Sequence, residues 1–436
     1  MAKEKLAILG GERTVTLSTP RWPAVGDEEI DAVTEALKKS REDTRYLSAP
    51  AGGGPIAEFE ERFAAFMGAR YALSMSGGGP ALHTAVMASG AECGDEIIVS
   101  TYTWGQTVSC ILQHNGIPIF ADIDPKTYNL DPDAVEARIT DRTKAIVVVH
   151  LYGNPADMDP IMAVAEKHGL IVIEDCAQAI GAVYKGRRVG SIGHFGCFSI
   201  GDGKNMVGGE GGMLVTNDHR LYQQALLCGH HPARHNQDLV DEDLKAWSDS
   251  LIYTYRMHPL CAVIANIQID SLDGWNAERR ANADRLSAGL SEIPGIEPPY
   301  VAEGSEHIYH IYSPSFVPEE LEGVPRERFV EVLQAEGVPI STGYVKKSIH
   351  LRRRLQERQY FYGKGCPWTC GYVGRDVTYH EGDCPVAEER CANRELTIGG
   401  STAWRGDQRE MIDQYLAAFR KVRNNLDVLR QRSGSS

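Results

Sequence analysis

Short apolar runs alternate with stretches of helical periodicity through the first 180 residues of the chain. The runs predicted as strands lie at 71–76, 96–99, 117–121, 145–150 and 170–174. The run AIVVVH at 145–150 is almost wholly apolar, which is typical of a strand buried on both faces of a parallel sheet. Helices are predicted between these runs, and also at 27–39, where Ile30, Val33 and Leu37 recur at helical spacing.

This β–α–β succession predicts an α/β fold with an open, mostly parallel sheet in a large domain and helices on both faces. A smaller α+β domain is expected to follow, with an alternating strand at 307–317 and helices at 326–336 and 408–430. The predicted division of the chain is an N-terminal arm at 1–25, a large domain at 26–270, a small C-terminal domain at 271–430 and a disordered tail at 431–436.

Composition and charge exclude several classes of function. The chain has 436 residues, of which 42% are hydrophobic and 24% charged, with a net charge of −14. These values suit a globular enzyme and argue against broad binding to nucleic acid or to an anionic membrane. No apolar run approaches the roughly 18 residues that span a bilayer, and the N-terminus lacks a signal-peptide core. We therefore expect a cytoplasmic protein without nucleic-acid or membrane partners.

The ten cysteines are scattered, and we expect most of them to be buried, reduced thiols. A zinc site is an alternative for one cluster, which comprises Cys366, Cys370, His380, Cys384 and Cys391. The irregular spacing of this cluster does not match a standard structural zinc pattern, so no metal is predicted. The segment 351–383, which holds the first three of these residues, has no functional interpretation from the sequence.

A glycine-rich turn between a strand and a helix is the first candidate for ligand binding. Residues 77–79 are three consecutive glycines, placed between the strand YALSMS and the helical stretch ALHTAVMAS. Such an arrangement points backbone N–H groups and the positive end of a helix dipole at an anion, and a phosphate is the natural occupant. The structural alternative is a tight turn. The segment matches neither the Walker A loop nor the G-x-G-x-x-G fingerprint.

Residues 195–212, FGCFSIGDGKNMVGGEGG, hold one lysine among glycines, Lys204, five residues after Ser199. Taken alone, Lys204 is best interpreted as a surface lysine. Asp175 directly follows the buried strand LIVIE, and a carboxylate there is costly unless it is paired. A protonated pyridine nitrogen would pair it, Trp104 could stack on the ring, and Gln178 could reach the phenolic oxygen. The combination predicts a pyridoxal phosphate site with Lys204 as its Schiff-base lysine.

Several motifs, taken in order, resemble one known family. They are GGG-x-AL at 77–82, TWGQT at 103–107, HLYGNPADMD at 150–159, EDCAQAIGA at 174–182, FSIGDGKNMVGGEGG at 198–212 and YRM at 255–257. From about residue 20 to 425 the chain resembles the DegT/DnrJ/EryC1/StrS family of pyridoxal-phosphate sugar aminotransferases. LAILGGERTV near the start and CPVAEERCANRELTI at 384–398 resemble its glutamine-dependent scyllo-inosose, or cyclitol, branch. The resemblance implies the aspartate-aminotransferase fold, known as fold type I.

The resemblance also implies roles for individual residues. Lys204 would be both the Schiff-base lysine and the general base, and Asp175 would pair with the pyridine nitrogen. Gln178 would approach the phenolic oxygen and Trp104 would stack on the ring. Gly78, Gly79 and Ser199 would form the phosphate cup. The family homodimer shares its active sites through a loop that reads Ile252-Tyr-Thr-Tyr-Arg-Met257 here, so Thr254 would stand at a phosphate-binding position and Arg256 near an anion. Tyr344 would lie on the substrate side.

This chain departs from the family pattern at positions that concern the substrate more than the cofactor. The phosphate loop lacks the usual serine and threonine hydroxyls, because residues 77–79 are all glycine. Asp202 introduces a carboxylate two residues before Lys204, and we expect it to hold a substrate amine or hydroxyl or to raise the pKa of the Schiff base. The segment CGHHPARHNQ at 228–237 is rich in histidine and arginine, where the family has a loop near the substrate entrance.

Two enzymatic hypotheses and one non-enzymatic hypothesis follow. The first is an aminotransferase that takes an amino group from glutamine or glutamate and gives it to a keto-sugar or keto-cyclitol acceptor. The second is a pyridoxal-phosphate lyase or dehydratase acting on an amino sugar or amino acid. The family's dehydratase branch replaces the lysine by histidine, so the presence of Lys204 favours transamination. The third is a regulatory pyridoxal-binding domain, for which the chain offers no DNA-binding extension.

Overall fold

The computed structural model describes residues 4–23 and 25–431. Its helices are α1 (Asp27–Lys39), α2 (Pro55–Met67), α3 (Gly78–Ala88), α4 (Gly105–Gln113), α5 (Pro132–Glu136), α6 (Met158–His168), α7 (His219–Gly229), α8 (Pro232–Asp238), α9 (Glu242–Lys245), α10 (Pro259–Gln268), α11 (Leu272–Leu290), α12 (Arg326–Glu336), α13 (Arg353–Gln356), α14 (Pro385–Glu389), α15 (Arg409–Arg423) and α16 (Leu426–Gln431). Its strands are β1 (Tyr71–Met75), β2 (Glu96–Ser100), β3 (Ile117–Ala121), β4 (Thr143–Val149), β5 (Ile171–Asp175), β6 (Val183–Tyr184), β7 (Arg187–Arg188), β8 (Phe195–Ser199), β9 (Gly212–Thr216), β10 (Ile296–Glu297), β11 (Ser305–Glu306), β12 (Ser315–Phe316), β13 (Ile340–Ser341) and β14 (Thr397–Ile398).

A seven-stranded sheet in the order β1-β9-β8-β5-β4-β2-β3 forms the centre of the first 270 residues. Strands β3, β2, β4, β5 and β8 pair in parallel, and β9 is antiparallel to both of its neighbours. The apolar strands are buried on both faces, which is why their sequences show no alternation. The sheet confirms the predicted α/β class, and every apolar run predicted as a strand coincides with one.

The carboxyl ends of the parallel strands meet at one edge of the sheet. Asp175 ends β5, Ser199 ends β8, and α4 begins just after Trp104, beyond β2. Helix α3 packs against β8 and β9 and begins at Gly78, at the same edge. Residues far apart in the chain are therefore brought to one place by the topology of the sheet.

A second hydrophobic core lies among the C-terminal elements. It joins α11, α12, α15 and α16 through residues such as Leu286, Phe329 and Phe419. Leu6 and Val15 of the N-terminal arm are buried in this second core, although the sequence suggested only an extended arm. The arm is also held by polar bonds, since Glu336 accepts hydrogen bonds from the backbone N–H of Ala7 at 2.7 Å and from the Thr14 hydroxyl at 2.7 Å.

The strand predicted at 307–317 is wrong over most of its length. Only β12 is a strand there, and Tyr309 has a φ of +50° that interrupts any extended run. The backbone N–H groups of Ile308 and Ile311 donate instead to the carbonyls of Gly153 and Tyr152. The alternating pattern of HIYHIYSPSFV reflects a chain that lies between the two cores, so both sets of side chains are covered.

Helix boundaries follow the sequence signals closely, with two differences. Helix α12 ends at Gly337, whose φ of +101° makes it a left-handed C-cap. The predicted helix 408–430 is divided into α15 and α16. Helix α1 forms as predicted, but Ile30 is 54% and Leu37 46% exposed, so the described residues leave its apolar face uncovered. Of the predicted tail, residues 432–436 lie outside the described residues.

The segment 351–383, uninterpreted from the sequence, packs along the edge strand β3. The Tyr379 hydroxyl donates to the carbonyl of Pro118 at 2.9 Å and accepts a bond from the Trp368 indole at 3.0 Å. Arg375 donates to Glu96 at 2.6 Å, at the start of β2. Trp368 and Tyr379 belong to the hydrophobic core around the seven-stranded sheet, and the segment covers the edge of this sheet. Within residues 4–23 and 25–431, no helix is long and apolar enough to cross a membrane.

Candidate active site

A cavity of about 470 Å³ lies at the carboxyl edge of the sheet, between this edge, the start of α3 and the side chains of His310, Ile311 and Tyr344. Of the eleven residues predicted for the site, nine line it, namely Gly78, Gly79, Trp104, Asp175, Gln178, Ser199, Asp202, Lys204 and Tyr344. Thr254 and Arg256 do not line it. The lining is completed in part by Gln106, Thr107 and His310, which the sequence reasoning did not select.

Lys204 lies in the loop that joins β8 to β9, and its backbone is held from two sides. The indole N–H of Trp22 donates to the carbonyl of Lys204 at 2.8 Å. The buried Arg279 donates to the next carbonyl, that of Asn205, at 2.9 Å. Burial lowers the pKa of the Lys204 amine, and the negative charge of Asp175 opposes that shift. The lysine is thereby fixed in position and is more easily deprotonated than a surface lysine.

Asp175 is a buried carboxylate whose two oxygens each accept a hydrogen bond. Thr107 donates to Oδ2 at 2.8 Å, and the backbone N–H of Ala177 donates to Oδ1 at 3.1 Å. Burial raises the pKa of Asp175, while the bonds from Thr107 and Ala177 lower it. These two donors hold the carboxylate at the end of β5, facing the cavity, and leave lone pairs for a cationic partner.

The start of α3 and the end of β8 form a cradle for an anion. A Cβ atom on Gly78 would lie 2.9 Å from Cβ of Ser199, so the close approach of these two segments requires glycine. A Cβ on Gly79 would lie 3.3 Å from Nε2 of Gln106. None of the three glycines of residues 77–79 has a left-handed backbone, since Gly77 is extended with a φ of 172° and α3 begins at Gly78. Glycine is therefore needed here for space rather than for a left-handed turn, and the free N–H groups of α3 face the cavity.

The Gln178 side chain is already engaged within the protein. Its Oε1 accepts from the backbone N–H of Tyr152 at 2.7 Å, and its Nε2 donates to the hydroxyl of Tyr344 at 3.2 Å. The ring of Tyr344 lies 5.7 Å from that of Trp104, which is 55% exposed at the mouth of the cavity. Burial raises the pKa of the Tyr344 hydroxyl, which keeps it protonated as a hydrogen-bond donor at neutral pH.

His310 is the most informative residue that sequence reasoning missed. It lines the cavity near Lys204, and among the described residues its buried Nδ1 has no hydrogen-bond partner. Burial lowers the pKa of His310 well below its usual value, and the charge of Lys204 lowers it further. A neutral imidazole with an unpaired nitrogen suits a hydrogen bond to a bound ligand. The sequence offered a signal in HIYHIY, but the predicted strand concealed it.

Thr254 and Arg256 are exposed on the surface, outside the cavity. The neighbouring Leu251 is 88% and Trp247 75% exposed. The loop is nevertheless ordered by backbone contacts, because Tyr255 donates to the carbonyl of Gly229 at 3.0 Å and accepts from Ser76 at 2.8 Å. The loop therefore presents its polar and apolar side chains away from the cavity of its own chain.

The five residues considered for zinc do not come together in the described part of the chain. His380 bonds to the Thr378 hydroxyl at 2.9 Å, while Cys384 and Cys391 are buried apart from the exposed segment that holds Cys370. One other group, His150, Glu174 and Cys176, has metal-like spacing. Both ring nitrogens of His150 are used, by Glu174 at 2.9 Å and by the N–H of Ala156 at 3.0 Å. Glu174 also accepts three backbone N–H groups, so this cluster braces the loop 190–193.

The segment 228–237 is structural rather than part of the cavity. Arg234 is buried and forms a two-pronged ion pair with Glu60, at 2.8 and 2.7 Å. Glu60 in turn accepts the backbone N–H of Ser74 in β1 at 2.7 Å. Since none of residues 228–237 lines the cavity, their cationic character serves the packing of α8 against α2 and β1.

The chain is similar to known aminotransferases in sequence and in fold. The model of the DegT/DnrJ/EryC1/StrS aminotransferase family matches residues 23–380. An L-glutamine:2-deoxy-scyllo-inosose aminotransferase from Streptomyces fradiae is 37% identical over 96% of this chain and 97% of its own. Among solved structures, the aminotransferase from Psychrobacter cryohalolentis has a TM-score of 0.76 and 29% identity, covering 94% of this chain and all of that one. DesI, solved with its TDP-sugar product, has a TM-score of 0.76 and 28% identity, covering 98% and 99%.

Proposed function

Because the chain belongs to the DegT/DnrJ/EryC1/StrS aminotransferase family, we propose that it transfers an amino group from glutamine or glutamate to a keto-sugar or keto-cyclitol in secondary metabolism. The observation that carries the proposal is the meeting of Lys204, Asp175 and the start of α3 around one cavity. A lysine, a buried carboxylate and an anion cradle are the three parts that hold pyridoxal phosphate by its carbonyl, its ring nitrogen and its phosphate.

The residues present fit this cofactor. Asp175 would face the ring nitrogen, since it is a buried carboxylate with only neutral donors in its own chain. Gly78, Gly79 and Ser199 would take the phosphate, with backbone N–H groups replacing the missing hydroxyls of residues 77–79. When bound, the protonated ring supplies an electron sink for cleavage of the substrate Cα–H bond. Trp104, at the cavity mouth, would cover the ring.

Lys204 is the residue we assign to proton transfer. Burial lowers the pKa of its amine, which favours the neutral form that accepts a proton from the substrate carbon. Trp22 and Arg279 fix the carbonyls of residues 204 and 205, which limits the motion of the loop while the side chain moves. Because the amine stays within the cavity, the same nitrogen returns the proton at the end of the transfer.

The substrate side of the cavity combines a carboxylate, a phenol, a neutral imidazole and an exposed aromatic ring. Asp202, Tyr344 and His310 supply hydrogen-bonding groups of both signs, and Trp104 supplies an apolar face. Such a lining suits a polyhydroxylated ring, whose edges donate and accept hydrogen bonds and whose faces stack on aromatic rings. We assign Asp202 to a hydroxyl or amine of the acceptor.

The proposed active form is a homodimer with shared active sites. Thr254 and Arg256 lie outside the cavity of their own chain, and exposed apolar side chains surround them, including Leu251 and Trp247. Helix α1 adds the exposed Ile30 and Leu37. Exposed large apolar side chains are typical of an interface, and a second copy of the chain is the occupant we propose. We also propose a cytoplasmic location, because ten free thiols are typical of a reducing compartment.

The decisive experiment separates transamination from the lyase alternative. Purified protein loaded with pyridoxal phosphate is mixed with glutamine, and both the spectrum of the cofactor and the release of the keto acid are followed. We expect one equivalent of keto acid per site without acceptor. We also expect borohydride to fix the cofactor covalently on wild type and on Lys144→Ala, an exposed control, but not on Lys204→Ala.

Two results would contradict the proposal. Covalent fixation on the Lys204→Ala protein would remove the assignment of this lysine. Formation of ammonia and keto acid over many turnovers, with no acceptor present, would indicate a lyase instead of an aminotransferase.

A further inference from the structure

Two cysteines that are 277 residues apart in the chain lie face to face outside the active site. The Sγ atoms of Cys93 and Cys370 are 3.5 Å apart. Cys93 precedes β2, and Cys370 belongs to the segment that covers the edge strand β3. Both thiols are partly exposed, whereas Cys110, Cys176, Cys197, Cys384 and Cys391 are buried. A small reagent can therefore reach this pair while half of the protein's thiols are out of its reach.

Hydrogen bonds that do not involve the cysteines hold the two backbone segments around Cys93 and Cys370 together. Arg142 donates to the carbonyl of Gly94 at 3.1 Å and to that of Tyr372 at 2.7 Å, so it bridges the neighbours of both cysteines. A Cβ on Gly94 would lie 2.8 Å from the carbonyl oxygen of Tyr372, which shows how closely the segments approach. The two thiols are thus kept opposite each other in the reduced protein.

The two thiols differ in acidity, which favours thiol–disulfide exchange. Backbone N–H groups near Tyr372, and then the Cys93 thiol, lower the pKa of Cys370. Burial, and then Cys370, raises the pKa of Cys93 to about 11. Cys370 is thus the more acidic thiol, from which a nucleophilic thiolate forms more readily, and Cys93 is the protonated thiol beside it. An accessible thiolate next to a second cysteine is the arrangement from which protein disulfides form. Cys366 is directed elsewhere, to Oδ1 of Asn115 at 3.5 Å.

We propose that Cys93 and Cys370 form a reversible disulfide by exchange with a small-molecule disulfide such as oxidised glutathione, and that this bond fastens residues 353–384 to the sheet. The Cys370 thiolate attacks one glutathione sulfur, which forms a mixed disulfide and releases one glutathione thiolate. Cys93 then loses its proton and attacks Sγ of Cys370, which releases the second glutathione. The two protein thiols together lose two electrons, and one glutathione disulfide accepts them and is reduced to two thiols.

The bond would act on the attachment of the segment rather than on the chemistry of the cavity. Cys93 and Cys370 lie near the start of β2, whereas Thr101 and Trp104 follow the end of this strand. The residues before α13 are attached to the end of β2 by a different contact, a 2.6 Å hydrogen bond between His350 and Thr101. Because these contacts remain in both forms, oxidation leaves amino transfer unchanged within about twofold and makes local opening of residues 353–384 rarer.

Peptide mapping tests the bond directly. The full-length protein is incubated with excess oxidised glutathione, its free thiols are blocked, and it is digested with trypsin without reductant. We expect a cross-linked species of peptides 71–126 and 365–375, which separates on reduction. Cys366→Ser should retain the cross-link, while Cys93→Ser should give only the mixed disulfide of Cys370 with glutathione.

Chymotrypsin reports on the consequence, since Tyr362 is 80% and Tyr372 73% exposed. We expect cleavage in residues 360–372 to be about tenfold slower in the oxidised protein than in the reduced protein. For the control Cys370→Ser, treatment with oxidised glutathione should leave the cleavage rate unchanged. The proposal is overturned if the wild-type thiols stay reduced, if a bound metal ion holds them, or if the cross-link joins Cys366. A cross-link that leaves the cleavage rate unchanged would overturn the fastening of the segment.

Discussion

Asp202 adds a second carboxylate, besides Asp175, to the cavity that holds the reactive lysine. It is exposed to the cavity and lies two residues before Lys204 in the loop after β8. No side-chain contact holds it among the described residues, in contrast to Asp175, whose oxygens are bonded to Thr107 and Ala177. A charged group at a cavity wall without a partner of its own is available to the ligand.

We expect Asp202→Asn to weaken binding of the keto acceptor and to spare the first half-reaction. Loss of a charged hydrogen bond costs about 1.5–3 kcal/mol, so the acceptor KM should rise at least tenfold. The glutamine half-reaction, measured by stopped-flow absorbance, should stay within about twofold of wild type. A parallel loss in both half-reactions would place Asp202 with the cofactor rather than with the acceptor.

Buried histidines make the stability of the protein sensitive to acid. Burial lowers the pKa of His307 to about 3, and burial followed by the charge of Arg234 lowers that of His230 to about 3. Because the unfolded pKa is about 6.5, the unfolded chain binds protons that the folded one does not as the pH falls below 6.5. Each of these histidines therefore removes stability between about pH 6.5 and pH 3.

The variant His307→Gln tests this pH dependence. Its amide oxygen can still accept the backbone N–H of Tyr309, which His307 accepts at 2.8 Å. We expect its free energy of unfolding in urea to fall less steeply than that of wild type between pH 6 and pH 5, by about 1 kcal/mol per pH unit. The exposed His380→Gln is the control and should follow wild type. Equal slopes for all three proteins would show that His307 can be protonated in the folded state.

At the scale of elements, the loop between β8 and β9 depends on parts of the chain remote from it. The N-terminal arm contributes Trp22, whose ring lies 5.8 Å from Trp275 of α11 and is also contacted by Arg405, 5.4 Å from its centroid. Arg279 of the same helix donates to the carbonyls of Asn205 and Thr402, both at 2.9 Å. The reactive loop is therefore shaped by the arm and by the second core together.

We expect Trp22→Phe to weaken cofactor binding without unfolding the protein. The phenyl ring keeps most of the aromatic packing but loses the N–H that donates to the Lys204 carbonyl at 2.8 Å. One neutral hydrogen bond is worth about 1 kcal/mol, so the Kd for pyridoxal phosphate should rise about fivefold. Fluorescence titration of the apoprotein measures it. Trp247→Phe, which changes an exposed ring, should leave the Kd unchanged. If both changes raise the Kd equally, the hydrogen bond from Trp22 to the loop does not determine cofactor binding.

At the scale of the whole molecule, the exposed apolar residues on α1 and on the loop 247–253 are the strongest indication of assembly. Ile30→Glu places a charge on the α1 face and should shift the protein toward monomer, as measured by sedimentation velocity at micromolar concentration. Asp31→Lys changes an exposed polar neighbour and should leave the sedimentation coefficient unchanged. If Ile30→Glu sediments like wild type, α1 lies outside the interface.

The parallel strands and most helix ends could be predicted well because their signals are local or are repeated along the chain. Buried parallel strands such as β4 have continuous apolar sequences, and Gly337 ends α12 by its φ of +101°. That Lys204 and Asp175 share one cavity could be predicted because Asp175 ends β5 and Lys204 follows β8, the neighbouring strand of the same sheet. These features need no knowledge of the rest of the chain.

The parts that could not be predicted depend on contacts between distant segments. The alternation of HIYHIYSPSFV looked like a strand because the sequence does not show that Gly153 and Tyr152 accept its N–H groups. His310 was hidden for that reason. The apolar spacing of α1 predicted the helix correctly but not that Ile30 and Leu37 face outward. Arg234 was interpreted near a substrate, yet its partner is the buried Glu60.

The hydrogen bonds of the N-terminal arm also set an order of events during synthesis on the ribosome. Thr14 bonds to Glu336 at 2.7 Å, Thr16 to Gln414 at 2.9 Å, and Lys421 donates to the carbonyl of Glu12 at 2.8 Å. At about 5–20 residues per second, the arm waits about 20–80 s for Lys421, which lies 407 residues beyond Thr14. Since Trp22 at the end of this arm holds Lys204, the nascent chain completes its sheet first and its reactive loop last.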